Sequence, residues 1–516
     1  MIRLVVIGFW IAIVGQIALA KSEPGAELFD SPKLRKFKIT IGPAQYEELK
    51  KDNRRYVHAN IEEGGVVYAN VAVRLKGMGS FRPLNQKPSL AVKFDEYVAG
   101  QKFCGLSKIM LNNSSQDGTF LAELCGLGLY RDAGLPASRV THAFVELNGK
   151  DLGLYVVIEA VNKDFLRRHF KNSRGNMYEA YLQDIDQNLD QDNGVDIKQM
   201  DRKALVEACL ITDPAERWQR LQHVLDVDGF ITHTVLEMFA SHTDGYAINR
   251  NNYRLYHDPT VGRFVFITLG IDWGFGNTGL SIRPPMNSIV VKAVLQTTEG
   301  RKIYRDRVRQ IYTDVFKVDV LTNRVNEAVA RLKAAARNPN EARQFEGYGA
   351  GMCNQIVQRH RSVTAQIAVP EPEPLRFGSD GYATLMGWQT KVDSGSPKIE
   401  ERSEESKRLL YINGNNGGCI ASWRTRVLLG AGKYRFEGNA RAEQITPQTS
   451  EIGSGAGLRI SGDRRKKKLE GDAPWTRIEH DFEVPGGELE IELVCELRAT
   501  SGKVWFDRDS LKLKKL

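Results

Sequence analysis

The stretch HTDGYAINRNNYRLYHDPTVGRFVFITLGIDWGFGN, residues 242–277, decides the fold of this chain. It opens with a His-x-Asp-x-x-x-x-Asn string that contains Asp244 and Asn249. Residues 251–270 then alternate apolar and polar side chains around an Asp-Pro turn, which predicts a β-hairpin. Asp272 follows in an Asp-Trp-Gly turn. The predicted order is a polar loop, two antiparallel strands and an acidic turn.

Protein kinases place their catalytic aspartate, a metal-binding asparagine, paired strands and a second aspartate in this same order. Nucleotide phosphates carry several negative charges that Mg²⁺ must offset, and Mg²⁺ prefers hard oxygen ligands. Asp244 is therefore the candidate group for orienting an acceptor hydroxyl, and Asn249 and Asp272 are the candidate metal ligands. Asp-Gly and Asn-Asn are also common turn residues, so a purely structural loop is the alternative interpretation.

A basic glycine turn lies closer to the N-terminus, in RLKGMGSFRPLNQKPSLAVKF, residues 74–94. Glycine turns expose backbone N–H groups to phosphate oxygens, and a lysine on a neighbouring strand can pair with them. The alternative is a hairpin with exposed basic side chains. The candidate nucleotide-binding residues here are Arg74, Lys76, Gly77, Gly79 and Lys87.

The surrounding segments predict mixed helices and strands. Residues 120–134 and 227–242 have the apolar spacing of helices. Residues 141–161 read as two strands around Asn148-Gly149, the strongest short hairpin signal. Beyond the hairpin at 251–270, the chain is mostly helical to about residue 368.

This ordered set of motifs resembles the CotH (spore coat protein H) kinase family. The segments that carry the resemblance are LKGMGSF with KPSLAVKFDEY, then YRDAGLPASRVTHAFVELNGKDLGLYVVIEAV, and then the stretch quoted first. The resemblance covers about residues 35–290 and continues more weakly to 365. It implies an α+β fold with an atypical protein-kinase-like core, and ATP and Mg²⁺ as cofactors.

The resemblance also implies roles for individual residues. Asp244 matches the family's catalytic-loop acid and Asp272 its metal-binding acid. Lys93 matches the strand lysine, and Glu159 matches the hairpin glutamate that would orient it, although Lys87 and Glu123 compete for this pairing.

Three departures from the family pattern bear on activity. Gly270 stands where the family carries the first acid of its Asp-Phe-Asp segment. Ala122-Glu123 stands where Arg-Asn is usual, and Lys76 and Met78 replace arginines. An inactive descendant of the family is therefore the alternative hypothesis.

The segment VPEPEPLRFGSDG, residues 369–381, predicts a linker, because it is rich in proline and lacks apolar periodicity. Residues 382–516 then show short alternating strands with Gly and Pro turns, which predicts an all-β, jelly-roll-like sandwich. This region resembles carbohydrate-binding modules of the galactose-binding type. Trp388, Trp423, Trp475 and Trp505 are candidates for stacking on sugar rings, and core packing is the favoured alternative for most of them.

The first twenty residues, MIRLVVIGFWIAIVGQIALA, have a basic start, a short apolar core and an Ala-x-Ala site. They predict a signal peptide cut after Ala20, with an uncleaved anchor as the alternative. The predicted domains are thus residues 1–20, 21–368 and 382–516, with the linker 369–381. Six cysteines without a Cys-x-x-Cys pair make zinc an improbable cofactor. Cys104–Cys125 and Cys419–Cys495 are conceivable disulfides, with buried thiols as the alternative.

The net charge of +9 over 516 residues suits anionic partners and does not imply binding to nucleic acid. The leading hypothesis is a secreted kinase that phosphorylates Ser or Thr of exported or surface proteins, without stable membrane insertion after cleavage. The second is an inactive surface or matrix protein that binds polysaccharides or protein partners.

Overall fold

The computed structural model describes residues 23–196, 198–370, 373–404, 407–415, 417–449 and 453–516. The predicted signal peptide lies outside the described residues, as does part of the predicted linker, residues 371 and 372. The chain divides into two compact units. The first comprises residues up to 124 with 138–169 and 326–349, and the second comprises 125–137, 170–325 and 350–516.

The strands of the first unit close into a barrel. They are β1 (Arg35–Ile41), β2 (Val57–Glu63), β3 (Val66–Lys76), β4 (Ser89–Lys93), β5 (Lys108–Asn112), β6 (Val140–Leu147) and β7 (Lys150–Glu159). Their order around the barrel is β1-β2-β3-β4-β5-β7-β6, and β1 closes it by pairing in parallel with β6. Its short helices are α1 (Ala26–Phe29), α2 (Pro43–Lys51) and α4 (Lys163–His169).

Alternation along these strands fills the barrel with apolar side chains. On β3, Val71, Val73 and Leu75 belong to the core, and on β4 Leu90 and Val92 do. The residues between them therefore point outward. The predicted hairpin of β6 and β7 is present, and its turn residues Asn148 and Gly149 both have positive φ, 49° and 79°, as a two-residue turn of this type requires.

The helices outside the barrel include one that is almost completely buried. They are α3 (Ala122–Asp132), α5 (Met200–Leu210), α6 (Pro214–Val224), α7 (Val227–Phe239), α8 (Tyr246–Asn249), α9 (Ile289–Leu295), α10 (Thr298–Asp314), α11 (Val318–Ala334) and α12 (Pro339–Ile367). Helix α7 begins where the Asp226 side chain accepts from the Gly229 N–H, and it is buried from Phe230 to Phe239. It packs against α10 and against a small sheet.

That small sheet contains the hairpin predicted at residues 251–270. Its strands are β8 (Met177–Glu179), β9 (Asp190–Asn193), β10 (Tyr253–Asp258) and β11 (Arg263–Thr268), in the order β11-β10-β8-β9. Tyr253 lies opposite Thr268 and Asp258 opposite Arg263. The hairpin therefore brings the residues after Asn249 back beside Gly270.

The described residues from 382 onward are strands and turns, as the sequence predicts. The strands are β12 (Tyr382–Thr384), β13 (Gln389–Ser394), β14 (Lys398–Glu404), β15 (Lys407–Asn413), β16 (Cys419–Pro447), β17 (Gly455–Ile460), β18 (Gly471–Asp507) and β19 (Lys512–Lys515). The two long segments β16 and β18 pair along most of their lengths. The buried apolar residues of this region, from Leu385 to Leu513 in the chain, form one core.

The positions of side chains decide two questions that the sequence leaves open. Trp388, Trp423 and Trp505 are 8%, 5% and 4% exposed, so they are core residues, and Trp475 alone of the four candidates is half-exposed. Cys419 and Cys495 are buried thiols and Cys104 is a half-buried thiol, so neither disulfide considered above is formed. Among the described residues, no helix is long and apolar enough to cross a bilayer.

Candidate active site

The second unit holds Asp244 in a cluster of asparagine amides. Its Oδ1 accepts from the Asn249 amide at 2.5 Å. Its Oδ2 accepts from the amides of Asn251 at 3.0 Å and Asn252 at 2.8 Å. Asn249 ends α8, so the one-turn helix carries this donor back toward the carboxylate. The structure thus brings together the predicted residues Asp244 and Asn249, and it adds two asparagines.

Sequence reasoning missed Asn251 and Asn252, although the signal was present. In sequence alone, the Asn-Asn pair is typical of a turn. Arg250 and Asn252 both have positive φ, 53° and 51°, and this twisted backbone turns the two amides toward the same carboxylate. Asparagine tolerates this conformation better than most residues, because its short polar side chain bonds locally.

His242 ties the Asp244 loop to the Asp272 turn. The imidazole is fully buried, and its Nε2 lies 3.0 Å from the main-chain oxygen of Gly270. Burial lowers the pKa of His242 to about 4, so the ring is neutral at pH 7 and donates from Nε2 to that oxygen. His242 is thus a structural link within this site.

Asp272 is half-buried on a turn that follows β11. The Gly274 N–H bonds to the Ile271 oxygen at 3.0 Å, and the Phe275 N–H bonds to the Ala240 oxygen at 2.6 Å. The second bond anchors the turn to the end of α7. The predicted metal acid is therefore held against the same helix end from which the Asp244 loop departs.

Arg359 fixes that helix end. Its guanidinium is fully buried and donates to the main-chain oxygens of Met238 and Phe239 at 2.7 and 3.1 Å. It also donates to the Leu280 oxygen at 2.6 Å, beyond the Asp272 turn. A cation at a helix C-terminus satisfies carbonyls that have no partner within the helix. No local pattern indicates this role for Arg359, because it lies about 120 residues beyond the helix end that it contacts.

In the first unit, hydrogen bonds link a lysine, an amide and a carboxylate on the outer side of the barrel sheet. Lys76 Nζ donates to Asn112 Oδ1, and the Asn112 amide donates to Glu123 Oε2 at 2.9 Å. Glu123 is buried in the first turn of α3. The sequence predicts Lys76 as a nucleotide-binding residue and offers Glu123 as an alternative to Glu159 for orienting a lysine. The structure connects Lys76 and Glu123 through Asn112.

The expected pairing of Lys93 with Glu159 is not what the structure shows. Lys93 Nζ bonds to Glu96, and Glu159 is enclosed by Arg139 at 2.7 Å and Arg168 at 2.6 Å. Strand β5 lies between β4 and β7, so the two strands are about 9.5 Å apart. Lys93 also points outward, whereas Glu159 continues the inward-facing positions of β7.

The glycine turn has the backbone shape that its sequence predicts. Gly77 has φ +90°, and a Cβ there would lie 2.4 Å from Ser80 Oγ. The Gly77 oxygen accepts from Arg54 at 2.6 Å. A Cβ on Gly79 would meet Gln116 at 3.1 Å. The turn is therefore closely packed, and Gly77 admits no other residue without strain.

Lys87 and Arg74, two further candidate nucleotide-binding residues, each lie against aromatic rings. Lys87 Nζ sits 4.6 Å from the ring centre of Phe120 and 5.1 Å from that of Tyr155. Burial lowers the pKa of Lys87 to about 8. The Arg74 guanidinium lies 5.2 Å from the ring of Tyr56 on the outward face of β3. Arg74 and Lys76 share this outward face, since they alternate with the core residues Val73 and Leu75.

The donor set suits a magnesium ion bound together with phosphate. Among the described residues, no three His, Cys, Asp or Glu side chains are grouped as a site built from protein ligands alone would be. Mg²⁺ often takes one or two protein ligands and completes its shell with phosphate oxygens and water. Asn249 uses its amide nitrogen on Asp244, which leaves its oxygen for a cation.

The model of the CotH kinase protein family matches residues 73–363, which is more than half of the chain. The chain belongs to the CotH kinase protein family. The match contains the glycine turn, the β6–β7 hairpin, Asp244 and Asp272.

Individual relatives are distant. The chain is 20% identical over 367 residues to the inner spore coat protein H of Bacillus subtilis, covering 64% of this chain and 97% of that protein. The Helicobacter pylori proinflammatory kinase CtkA is 9% identical over 56% of this chain and 94% of its own, with a TM-score of 0.28. TmCBM61, solved with β-1,4-galactotriose, is 15% identical over 26% of this chain and 91% of its own, with a TM-score of 0.18. Scores this low carry no functional argument.

Proposed function

We propose that this member of the CotH family is a kinase that transfers the γ-phosphate of ATP, with Mg²⁺, to Ser or Thr hydroxyls of exported or surface proteins. The observation that carries the proposal is the Asp244 carboxylate, which accepts from three asparagine amides. Three donors from three different side chains hold both oxygens of this carboxylate in one orientation.

The Asp244 carboxylate still has room to accept one more hydrogen bond. A carboxylate offers about four lone-pair sites, and the amides occupy three of them. The remaining site can accept a hydrogen bond from an incoming hydroxyl. Orienting that hydroxyl and accepting its proton is what phosphoryl transfer requires from the protein at this position.

Asp272 and the Asn249 oxygen would hold Mg²⁺, which offsets the charge that develops on the transferred phosphoryl group. Lys76, oriented through Asn112 and Glu123, would hold nucleotide phosphates. Asn249 and Asp272 belong to the second unit. Lys76, Asn112 and Glu123 belong to the first unit.

Export of the protein is supported by the predicted signal peptide and by a spore coat protein among the relatives. Protein substrates at a cell or spore surface follow from that location.

A specific observation favours the second hypothesis, an inactive protein that binds glycans or protein partners. Gly270 provides no carboxylate at the position of the family's first acid. Trp475 is partly exposed on the β region, with Lys407 and Arg441 beside its ring, and offers an aromatic surface that a sugar could use.

Two measurements separate the two hypotheses. The kinase hypothesis predicts that ATP raises the melting temperature more in the presence of Mg²⁺ than in its absence, and that labelled γ-phosphate is transferred to a Ser- and Thr-containing protein. A wild-type protein that shows neither response supports the inactive alternative.

A further inference from the structure

A buried carboxyl lies beneath the loop that carries Asp244. Glu237, in the last turn of α7, is 0% exposed. Its Oε1 accepts from the Ala247 N–H at 2.8 Å. This N–H group lies in the first turn of α8 and has no carbonyl partner within its own helix. The Glu237 side chain therefore secures the start of α8.

The main chain of Glu237 secures the other end of the same loop. Its carbonyl oxygen accepts from the His242 N–H at 2.9 Å. One residue thus holds the chain at position 242 and again at 247, and Asp244 lies between the two attachments. A loop closed at both ends by one residue has few alternative conformations.

Gly245 makes room for this carboxyl. A Cβ at position 245 would lie 2.1 Å from Glu237 Oε1 and 2.5 Å from its Cδ. Contacts this short do not occur between a Cβ and an oxygen, so any larger residue at 245 must displace Glu237 or the loop. The glycine, which sequence analysis treated as a turn residue, is required by close approach.

We propose that Glu237 is a positioning residue that fixes the loop 242–249 and thereby the orientation of Asp244. The link to the carboxylate is short: α8 ends at Asn249, whose amide donates to Asp244 at 2.5 Å. The catalytic consequence rests on the proposed function, whereas the anchoring of the loop does not.

The surroundings of Glu237 make it a neutral acceptor. Burial raises the pKa of Glu237 to about 8. His233 lies beside its second oxygen, with 3.7 Å between Nδ1 and Oε2. Burial lowers the pKa of His233 to about 3, so that ring is neutral too. A glutamine at 237 matches the neutral acid in shape and keeps the oxygen that α8 uses.

The experiment compares Glu237→Ala, Glu237→Gln, Gly245→Ala and the double variant Glu237→Ala/Gly245→Ala in the full chain. Thr234→Val is the matched control, because Thr234 is equally buried on α7 and its hydroxyl bonds only within that helix, to the Phe230 oxygen at 2.9 Å. Amide hydrogen exchange of a peptide covering 245–252 measures the anchoring without any assumption about catalysis.

We expect rapid exchange of the Ala247 amide in Glu237→Ala and in Gly245→Ala, and protection of that amide in Glu237→Gln and Thr234→Val. The turnover number should fall on the order of 100-fold in the two alanine variants, with the KM for ATP little changed, because the loop and not the nucleotide site is displaced. Glu237→Gln should keep most of the wild-type turnover number. The double variant should be no worse than Glu237→Ala, since the carboxyl that Gly245→Ala would displace is already gone.

Protection that persists in Glu237→Ala overturns the inference, as does a Glu237→Gln variant that is as impaired as Glu237→Ala. A loss of turnover in Thr234→Val equal to that in Glu237→Ala also overturns it, because general destabilisation would then explain both. If the wild type transfers no phosphate but shows the expected exchange pattern, the anchor is supported and the proposed function fails.

Discussion

The amide of Asn252 donates to Asp244 twice, to its main-chain oxygen at 3.0 Å and to its carboxylate at 2.8 Å. One side chain therefore fixes both the backbone and the carboxylate of the candidate catalytic residue. Gly270 lies against the same amide, and a Cβ there would be 2.6 Å from Asn252 Oδ1. The absence of an acid at 270 is thus accompanied by close packing of Asn252 at that position.

Asn252→Ala should lower the turnover number by about 10- to 100-fold, because Asp244 loses two of the bonds that orient it. The melting temperature should fall only modestly. Asn354→Ala, on the exposed side of α12, is the control and should behave as wild type. Phosphate transfer by Asn252→Ala at the wild-type rate would show that this amide does not orient the reaction.

Asp272→Asn should abolish Mg²⁺-dependent nucleotide binding and phosphate transfer while it leaves the fold intact. Asparagine cannot supply the charge that holds the metal, and Gly270 offers no replacement. Asp258→Asn is the comparison, since Asp258 Oδ1 accepts only a turn N–H, that of Thr260 at 2.9 Å. Equal Mg²⁺-dependent stabilisation by ATP in both variants would remove Asp272 from the site.

Lys76→Met should weaken nucleotide binding by about 10-fold or more, and Lys93→Met should have little effect. Lys76 is connected to Glu123 through Asn112, whereas Lys93 pairs with Glu96, and both partners of that pair are about one-third exposed. Exposed ion pairs contribute little to stability. Titration calorimetry with a non-hydrolysable ATP analogue measures both variants. A larger loss in Lys93→Met would restore the role that the sequence comparison gave to Lys93.

The free energy of unfolding should depend on pH through the buried groups around α7. The pKa of Glu237 is raised from 4.5 to about 8, so its stabilising contribution is full below pH 4.5 and is lost as the pH rises to 8. The pKa values of His233 and His242 are lowered from 6.5, so their contributions are present above pH 6.5 and are lost as the pH falls toward 4.

Between pH 6.5 and 8, the free energy of unfolding therefore still changes with pH through Glu237. The contributions of the two histidines no longer change in this range. Tyr130, which also faces Glu237, has a pKa raised by burial and does not titrate in this window. Wild type should lose stability relative to Glu237→Gln across this window, by at most about 1.4 kcal/mol per pH unit. Urea titrations at several pH values measure the difference. Parallel curves for the two proteins would contradict the neutral state of Glu237.

A fragment of residues 373–516 should fold by itself into a β structure. Its apolar core consists of residues between Leu385 and Leu513 and needs no side chain from outside the fragment. The ion pairs of Arg283 with Glu490, at 2.9 Å, and of Arg301 with Glu488 would be lost, and all four side chains are partly exposed. Circular dichroism and a cooperative thermal transition test this. An unfolded fragment beside a folded full chain would show that the β region depends on the helices.

The sequence by itself determined the local elements of this protein. The Asn148-Gly149 turn, the hairpin at 251–270, the buried helix before His242 and the strands beyond residue 382 follow from turn chemistry and from the period of the apolar residues. Those signals lie within a few residues of each other along the chain, so they are legible without any tertiary information. The contact of Asp244 with Asn249 is of the same local kind.

The tertiary structure alone decided which distant residues meet. The barrel closes because β1 pairs in parallel with β6, a pairing across about a hundred residues that no local pattern encodes. The separation of Lys93 from Glu159 depends on β5 lying between their strands and on which face each residue points to. Glu237, Gly245 and Arg359 matter because burial leaves main-chain N–H and C=O groups that only a nearby polar side chain can satisfy. Sequence specifies the turns and periods, and burial of backbone polar groups selects the side chains that hold the site.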